Sequence, residues 1–332
     1  MNAPALRSPE TLPDLGALPS GPWVVAVSGG MDSVVLLHAL RFGAPGAPLV
    51  AAHLDHAMRP GSRADARWVA GLCRAWDVNL VAERLGAPPG GEAAARKARY
   101  RFLSSVADTT GARAVLTAHH ADDQAETVLF RVVRGTGVKG LGGIAAVRGR
   151  LHRPLLARTR AELGVYARHH RLSWRSDPTN ACMDHTRNRI RHRVLPALES
   201  ILGRDVRASL ARLARNARRA DEELAALEEV AFESVLRSAG ARRMEWAAEA
   251  VAEWPAPLRR RLLRRAAERL GGYPTEAATR VAEEAFGRLA PGQGVDLGGG
   301  FRLELRAGTW TLDAPRVRAP RLRTLAGDPG GD

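Results

Sequence analysis

WVVAVSGGMDSVVLLHAL, running from Trp23 to Leu40, decides the fold of this chain. Trp23–Val27 is a short apolar run of the kind that fills a buried parallel strand, and Ser33–Leu40 reads as the helix that follows it. Working outward, the alternation repeats. Leu49–Leu54 is a second strand with a helix over Ala64–Trp76, and Asn79–Leu85 is a third with a helix over Glu92–Ala107. Ala114–Thr117 is a fourth strand, followed by a helix over Asp122–Val133. Strands joined by helices of this length need right-handed crossovers and give a parallel sheet covered on both faces. Ligands bind such sheets at the carboxyl ends of the strands, where the loop Ser28–Ser33 lies.

The 332 residues, 45% of them hydrophobic, suffice for a real core and for two modest domains. A disordered protein and a disulfide-stapled miniature are excluded. No apolar run reaches the roughly 18 residues of a membrane helix, so no membrane partner is expected. Residues 1–22 lack the charged start and apolar stretch of a secretion signal, and the expectation is a cytoplasmic protein. Cys73 and Cys182 match no zinc or redox spacing. The net charge is +15, almost all of the cations being arginine. Arg148 to Arg193 holds twelve arginines against Glu162, Asp177 and Asp184, whereas residues 205–332 hold 22 against 19 acids. So concentrated a basic segment points to a polyanion, nucleic acid first, with a solvated basic face as the other reading.

Beyond Arg134, Gly135–Gly143 is expected to be a glycine-rich loop too mobile to be a core element, and Arg160–His169 a helix. A long helix is predicted from Val206 to Ser238, with Leu210, Leu213, Ala217, Ala220, Leu224 and Leu227 as its packing seam. Arg259–Arg269 and Thr275–Leu289 are further helices, and Phe301–Leu305 with Thr309–Leu312 form a terminal hairpin. The organisation expected is a flexible start over 1–20, an α/β domain over 21–200, a smaller, mainly helical domain over 205–314, and a disordered tail over 315–332.

Ser28-Gly29-Gly30-Met31-Asp32-Ser33 forms a phosphate cradle. Two glycines admit a ligand close to the backbone, the helix start offers free N–H groups, and Ser28 and Ser33 add hydroxyls. It is neither GxxxxGK[ST] nor GxGxxG. A carboxylate at Asp32 makes sense among phosphates with a bridging Mg²⁺; the bland alternative is a helix cap. Asp122, Asp123 and Glu126 open a helix, where acids are favoured by the dipole, but Asp123 and Glu126 also share a face that can receive a cation. Arg187 and Arg191, at i and i+4, present a guanidinium fork suited to phosphate or to solvent.

SGGMDS resembles the signature of the PP-loop ATP pyrophosphatases, with their adenine nucleotide alpha hydrolase-like fold. Further segments narrow the likeness: His53–Arg59; Glu92 with Arg96 and Arg99-Tyr100; Ala118–Thr127; Arg134–Gly137; Arg153–Leu156; Asp177–Asn180; and Arg187–Arg191. Together, over about residues 22–200, they resemble the tRNA(Ile)-lysidine synthetase family.

That resemblance implies a ligase joining free L-lysine to C2 of the wobble cytidine of tRNA(Ile) with a CAU anticodon, using ATP and Mg²⁺ and releasing AMP and pyrophosphate. It places ATP on Ser28, Gly29, Gly30, Met31, Asp32 and Ser33 and beside His53, Asp55 and His56, with Asp32 linked to the metal. It gives lysine to Asp123 and Glu126, catalytic roles to Asp32, Asp123, Glu126 and Arg187, and tRNA to Arg96, Arg153, Asn188, Arg189, Arg191 and Arg193. Longer family members carry a second C-terminal domain, for which this chain is expected to be too short. A PP-loop tRNA thiolase, a small-molecule amidating synthetase and a non-catalytic tRNA-binding relative are the alternatives. The roles of His119 and His120, and the oligomeric state, a homodimer included, stay open.

Overall fold

A computed structural model describes residues 15, 17–43, 47–176, 183, 186–272 and 275–315. Asp177–Asn180, Cys182 and residues 316–332 lie outside these. The chain divides into two compact units, Met1–Asp221 and Glu222–Asp332.

The first unit alternates as the sequence implies: β1 (Trp23–Ala26), α1 (Met31–Gly43), β2 (Leu49–Asp55), α2 (Ser62–Ala75), β3 (Asn79–Arg84), α3 (Glu92–Thr109), β4 (Ala114–Leu116) and α4 (Ala121–Val133). Then come α5 (Val138–Leu141), β5 (Val147–Arg148), β6 (Leu151–His152), α6 (Arg160–His169) and α7 (Thr186–Arg189). A π-helical turn, Ile190–Val194, leads into α8 (Leu195–Leu202) and α9 (Val206–Val235). The sheet order is β3-β2-β1-β4-β6-β5, parallel throughout except for the β5–β6 pair. Strand order reverses between β1 and β4, and the crevice beyond their carboxyl ends is where such a fold binds ligands. α1 buries Val34, Val35, Leu36, Leu37 and Leu40, and α6 joins that core through Leu163 and Tyr166. On the opposite face α3 brings Phe102, Leu103 and Val106 against Val24, Ala52 and Val115. Removing this apolar surface from water anchors the helices that open on the crevice.

Four expectations are corrected. The loop Gly135–Gly143 contains the helical turn α5 and is fixed, because Arg131 Nη1 donates to the carbonyls of Gly140 at 2.8 Å and Gly143 at 3.0 Å. Within the expected flexible start, Leu15 and Leu18 pack against the core, and Trp23 Nε1 donates to Pro19 O at 2.8 Å. α9 stops at Val235, and its buried residues in the first unit are Val206, Ala211, Ala214 and Ala217, of which only Ala217 is in the expected seam. Leu213, Leu224 and Leu227 of the expected seam are 40%, 39% and 68% exposed.

The second unit holds the expected helices and, beyond the expected hairpin, three further strands. Five antiparallel strands run in the order β7-β8-β11-β10-β9: β7 (Leu236–Ala239), β8 (Arg243–Ala247), β9 (Gly294–Asp296), β10 (Arg302–Arg306) and β11 (Thr309–Asp313). The hairpin β10–β11 is the expected one. α10 (Ala248–Ala252), α11 (Ala256–Arg269) and α12 (Glu276–Arg288) accompany the sheet, and Phe232, Trp246, Leu263 and Leu303 are fully buried. Four of the six arginines of α11 pair within the unit: Arg260 with Glu283, Arg261 with Glu228, Arg265 with Glu229, and Arg269 with Glu229 and Glu233.

Candidate active site

Two sequence-distant loops meet at the β1/β4 switch point. The first follows β1. Gly29 has φ +90°, and a Cβ there would stand 3.2 Å from Val69 Cγ2, so only glycine sits there without strain. Ser33 Oγ closes the loop by accepting from Ser28 N at 3.2 Å and donating to Gly30 O at 2.9 Å. Asp32 stands in the first turn of α1, and its Oδ1 is buried with no hydrogen-bond partner among the described residues. The nearest cation to that oxygen is Arg160 Nε at 3.8 Å, beyond hydrogen-bond reach, and a carboxylate oxygen so placed beside a loop of backbone N–H groups fits a hard divalent cation bridging to phosphate.

The second loop follows β4. α4 begins at Ala121, and the main-chain N–H of His120 donates to Asp123 Oδ2 at 3.1 Å. The His120 ring, 2% exposed as a residue, lies between carboxylates: Nε2 is 3.6 Å from both Asp32 Oδ2 and Asp123 Oδ2, and Nδ1 is 3.5 Å from Asp122 Oδ2. Burial opposes the charge on this ring, but Asp122, Asp32 and Asp123 outweigh it and push its pKa up to about 10. His120 therefore bridges the two loops, the carboxylates on either side favouring its charged form. Its neighbour His119 goes the other way: burial, opposed only in part by Asp123, takes that ring down to about 4. Against the cost of burial, His120 and the N–H of Arg160 bring Asp122 down to about 2.

One turn further along α4, Glu126 is 2% exposed. Its carboxylate accepts from Arg187 Nε at 3.0 Å and from both Nε and Nη2 of Arg191, the latter at 3.0 Å. Arg191 Nη2 also donates to Asp123 Oδ1 at 3.1 Å. Asp123 and Glu126 do share a face and do receive cations, and the cations are arginines of the same chain. Arg187 and Arg191 likewise share a face, but it meets carboxylates. The site thus holds a carboxylate pair neutralised by long-stemmed guanidinium groups, next to a phosphate cradle.

At the end of β2, His53 Nδ1 is 2.8 Å from Val27 O. Its Nε2 and both ring nitrogens of His56 have no hydrogen-bond partner among the described residues. Asp55 is committed: it accepts from Ala57 N at 2.8 Å and pairs with Arg84. The expected RNA-binding arginines separate. Arg189 and Arg193 are exposed, and so is Arg96, whose guanidinium lies 5.0 Å from the Tyr100 ring centroid. Arg153 does not fit that group: it is 6% exposed and donates to Ala145 O at 2.5 Å, holding the chain before β6 instead of facing solvent. Arg191, as above, turns inward. Asn188 is half-buried beside them.

Sequence reading missed Arg160 and Arg207. Arg160 Nε is 3.8 Å from Asp32 Oδ1 and its N–H donates to Asp122 Oδ2 at 2.8 Å. Arg207 Nε is 3.5 Å from Asp122 Oδ1. Neither belongs to a motif; an arginine in the first turn of a helix carries no signal until the partner it reaches is known.

Residues 10–198 match the model of the PP-loop domain family. The tRNA(Ile)-lysidine synthase of Thermus thermophilus is 40% identical over 327 residues, covering 96% of this chain and 61% of that protein, so this chain spans about three fifths of that relative's length. The tRNA(Ile)-lysidine synthase of Gloeobacter violaceus is 41% identical over 261 residues, 76% of this chain and 79% of that protein. Among solved structures, a U34-tRNA thiolase from Methanococcus maripaludis with its [4Fe-4S] cluster shares the fold, with a TM-score of 0.52 at 17% identity over 62% of this chain and 76% of that one. With its phosphate cradle and carboxylates meeting at the switch point, and with these matches in sequence, the chain belongs to the PP-loop domain family and, within it, to the tRNA(Ile)-lysidine synthase family.

Proposed function

We propose that this chain ligates lysine to C2 of the wobble cytidine of tRNA(Ile) with a CAU anticodon, through an adenylated tRNA. The observation that carries the reading is the His120 bridge, which joins Asp32 of the phosphate cradle to Asp123 of the carboxylate pair with 3.6 Å contacts on either side. Two half-reactions that share one intermediate need their sites that close.

ATP would lie with its phosphates on Ser28–Ser33 and its nucleoside near His53 and His56, whose unpaired ring nitrogens can meet polar groups of a ligand. Asp32 would hold Mg²⁺, which supplies positive charge to the departing pyrophosphate. Cytosine O2 is a poor leaving group as it stands. Its attack on the α-phosphate forms an O–P bond, breaks the bond to pyrophosphate and converts O2 into part of AMP. The lysine ε-amine, once it has lost its extra proton, then forms the C–N bond at C2, and the C–O bond breaks as AMP leaves. Asp123 and Glu126 would receive the lysine's ammonium group before the amine reacts, as Arg187 and Arg191 turn toward the anionic adenylate. Such an exchange leaves no carboxylate unpaired. The target base stands in a single-stranded loop and can be presented to a pocket. Arg96, Arg189 and Arg193 are suited to its backbone phosphates, and residues 205–314 to further RNA contact.

A thiolase with a resident cluster would need cysteine ligands, and Cys73 is buried, with burial pushing its thiol up to about 11. Incubating the protein with ATP, labelled lysine and tRNA, followed by nucleoside analysis, tests the reading. Label in a modified cytidine with stoichiometric AMP and pyrophosphate is expected. ADP as the main product, or ATP left intact in the presence of tRNA, would overturn it.

A further inference from the structure

Arg207 lies in the first turn of α9, beyond the last motif that ties the sequence to its family, and it touches neither the phosphate cradle nor the carboxylate pair. Its guanidinium nevertheless gathers three elements that surround the pair. Nη1 is paired with Glu199 of α8, whose other oxygen accepts from the Arg207 N–H at 3.4 Å, so the side chain is held at both ends. Nε lies 3.5 Å from Asp122 Oδ1, on the turn of α4 that presents Asp123. Nη2 donates at 3.3 Å to the main-chain carbonyl of Arg191. That carbonyl belongs to the π-helical turn Ile190–Val194, a wider and less stable arrangement than the α-helix on either side. The guanidinium of the same residue grips Glu126 and Asp123.

We infer that Arg207 is a positioning residue for the lysine-binding carboxylates. It fixes the turn that carries Arg191 by its backbone and the start of α4 by Asp122, and so sets how the two arginines stand around Asp123 and Glu126. A surface ion pair of this exposure, 25% for both Arg207 and Glu199, adds little stability on its own. Its three-way convergence on the two elements of the site is what gives it a role. The inference rests on the proposed lysine site, and on its geometry the larger effect falls on lysine: Arg207 holds the turn that carries Arg191 directly and reaches Asp32 only at two removes, through Asp122 and His120.

The full chain carrying Arg207→Gln should show a KM for lysine raised about tenfold, with kcat at saturating lysine and single-turnover pyrophosphate release both within about twofold of the parent. Arg207→Lys, which can reach one partner but not all three, should fall between. Glu199→Gln, which frees the guanidinium from α8, should raise the same KM by a smaller factor and serves where Arg207→Gln fails to fold. An unchanged lysine KM in the folded variants would overturn the inference, as would equal losses of lysine transfer and pyrophosphate release, which mark a merely structural residue. A parent chain that releases pyrophosphate but never incorporates lysine would instead overturn the reading on which the inference rests.

Discussion

In the first unit, Arg187 and Arg191 hold Glu126 where its side chain is 1% exposed; in the second, Arg269 holds Glu229 and Glu233 where theirs are 39% and 50% exposed. The chemical pair is the same. Its surroundings differ, and with them what the pair does. The exposed ladder ties α11 to α9, and each rung is worth little because water competes for both partners. The buried cluster strengthens every charge within it, cannot lose one partner cheaply, and stands at a switch point beside a phosphate cradle. Arginine count alone therefore misleads: the run of α11 is dense but four of its arginines pair with acids of the same unit, while the proposed chemistry calls on a few inward-facing residues.

The largest expected effect separates the two clusters directly. Glu126→Gln should destabilise the protein by about 3 kcal/mol, because two guanidiniums lose a buried counter-charge. Glu229→Gln should stay within about 1 kcal/mol. Denaturant midpoints compare them, and equal shifts would erase the distinction. The second effect concerns RNA. Log affinity for tRNA should fall linearly with log salt, and Arg189→Ala and Arg193→Ala should each reduce the slope by roughly 0.7–0.9 if each makes one phosphate contact. Arg269→Ala, already engaged by Glu229 and Glu233, should leave the slope as it is. A slope that responds to Arg269 but not to Arg189 or Arg193 would put the RNA on the other unit.

The smallest effect comes from an aromatic cluster away from both. His38 Nδ1 is 2.8 Å from the Tyr166 hydroxyl, with Phe42, Trp76 and His170 around the ring. Burial, aided by the charge of His170, lowers its pKa from 6.5 to about 4. The unfolded chain then binds the proton first. The stability that His38 contributes is full above about pH 6.5, falls as pH drops toward 4, and is lost below that. His38→Gln should flatten part of this acid limb, and an unaltered limb would remove His38 from the account. Burial lowers His119 in the same window, which keeps the change partial.

The parallel sheet was legible because its strands are continuous apolar runs separated by long helices, and the cradle because glycine and aspartate have few other reasons to stand in that turn. The second sheet was not. LRSA, RMEWA and GVD are too short and too charged to announce strands, and their pairing depends on residues far along the chain. The α9 seam held at Leu210 and Ala217 and failed at Leu213, Leu224 and Leu227, because leucines at heptad spacing need a partner surface and Ala211 and Ala214 took the close contact. In the site, residue types and shared faces could be read from spacing. The meeting of Glu126 with Arg187 and Arg191, more than sixty residues apart in sequence, and the bridge through His120 could not.

The division of labour between cradle and carboxylates is the central claim, and single-turnover kinetics tests it most directly. With tRNA and ATP but no lysine, at a temperature where all chains are folded, Asp32→Ala should release no pyrophosphate, whereas Glu126→Gln should release it at a rate near the parent's. On adding lysine, Glu126→Gln should need far higher concentrations to complete transfer, in line with the loss of about 2–5 kcal/mol when one partner leaves a desolvated pair. Loss of pyrophosphate release in Glu126→Gln as complete as in Asp32→Ala would contradict the account, because the pair would then serve the nucleotide.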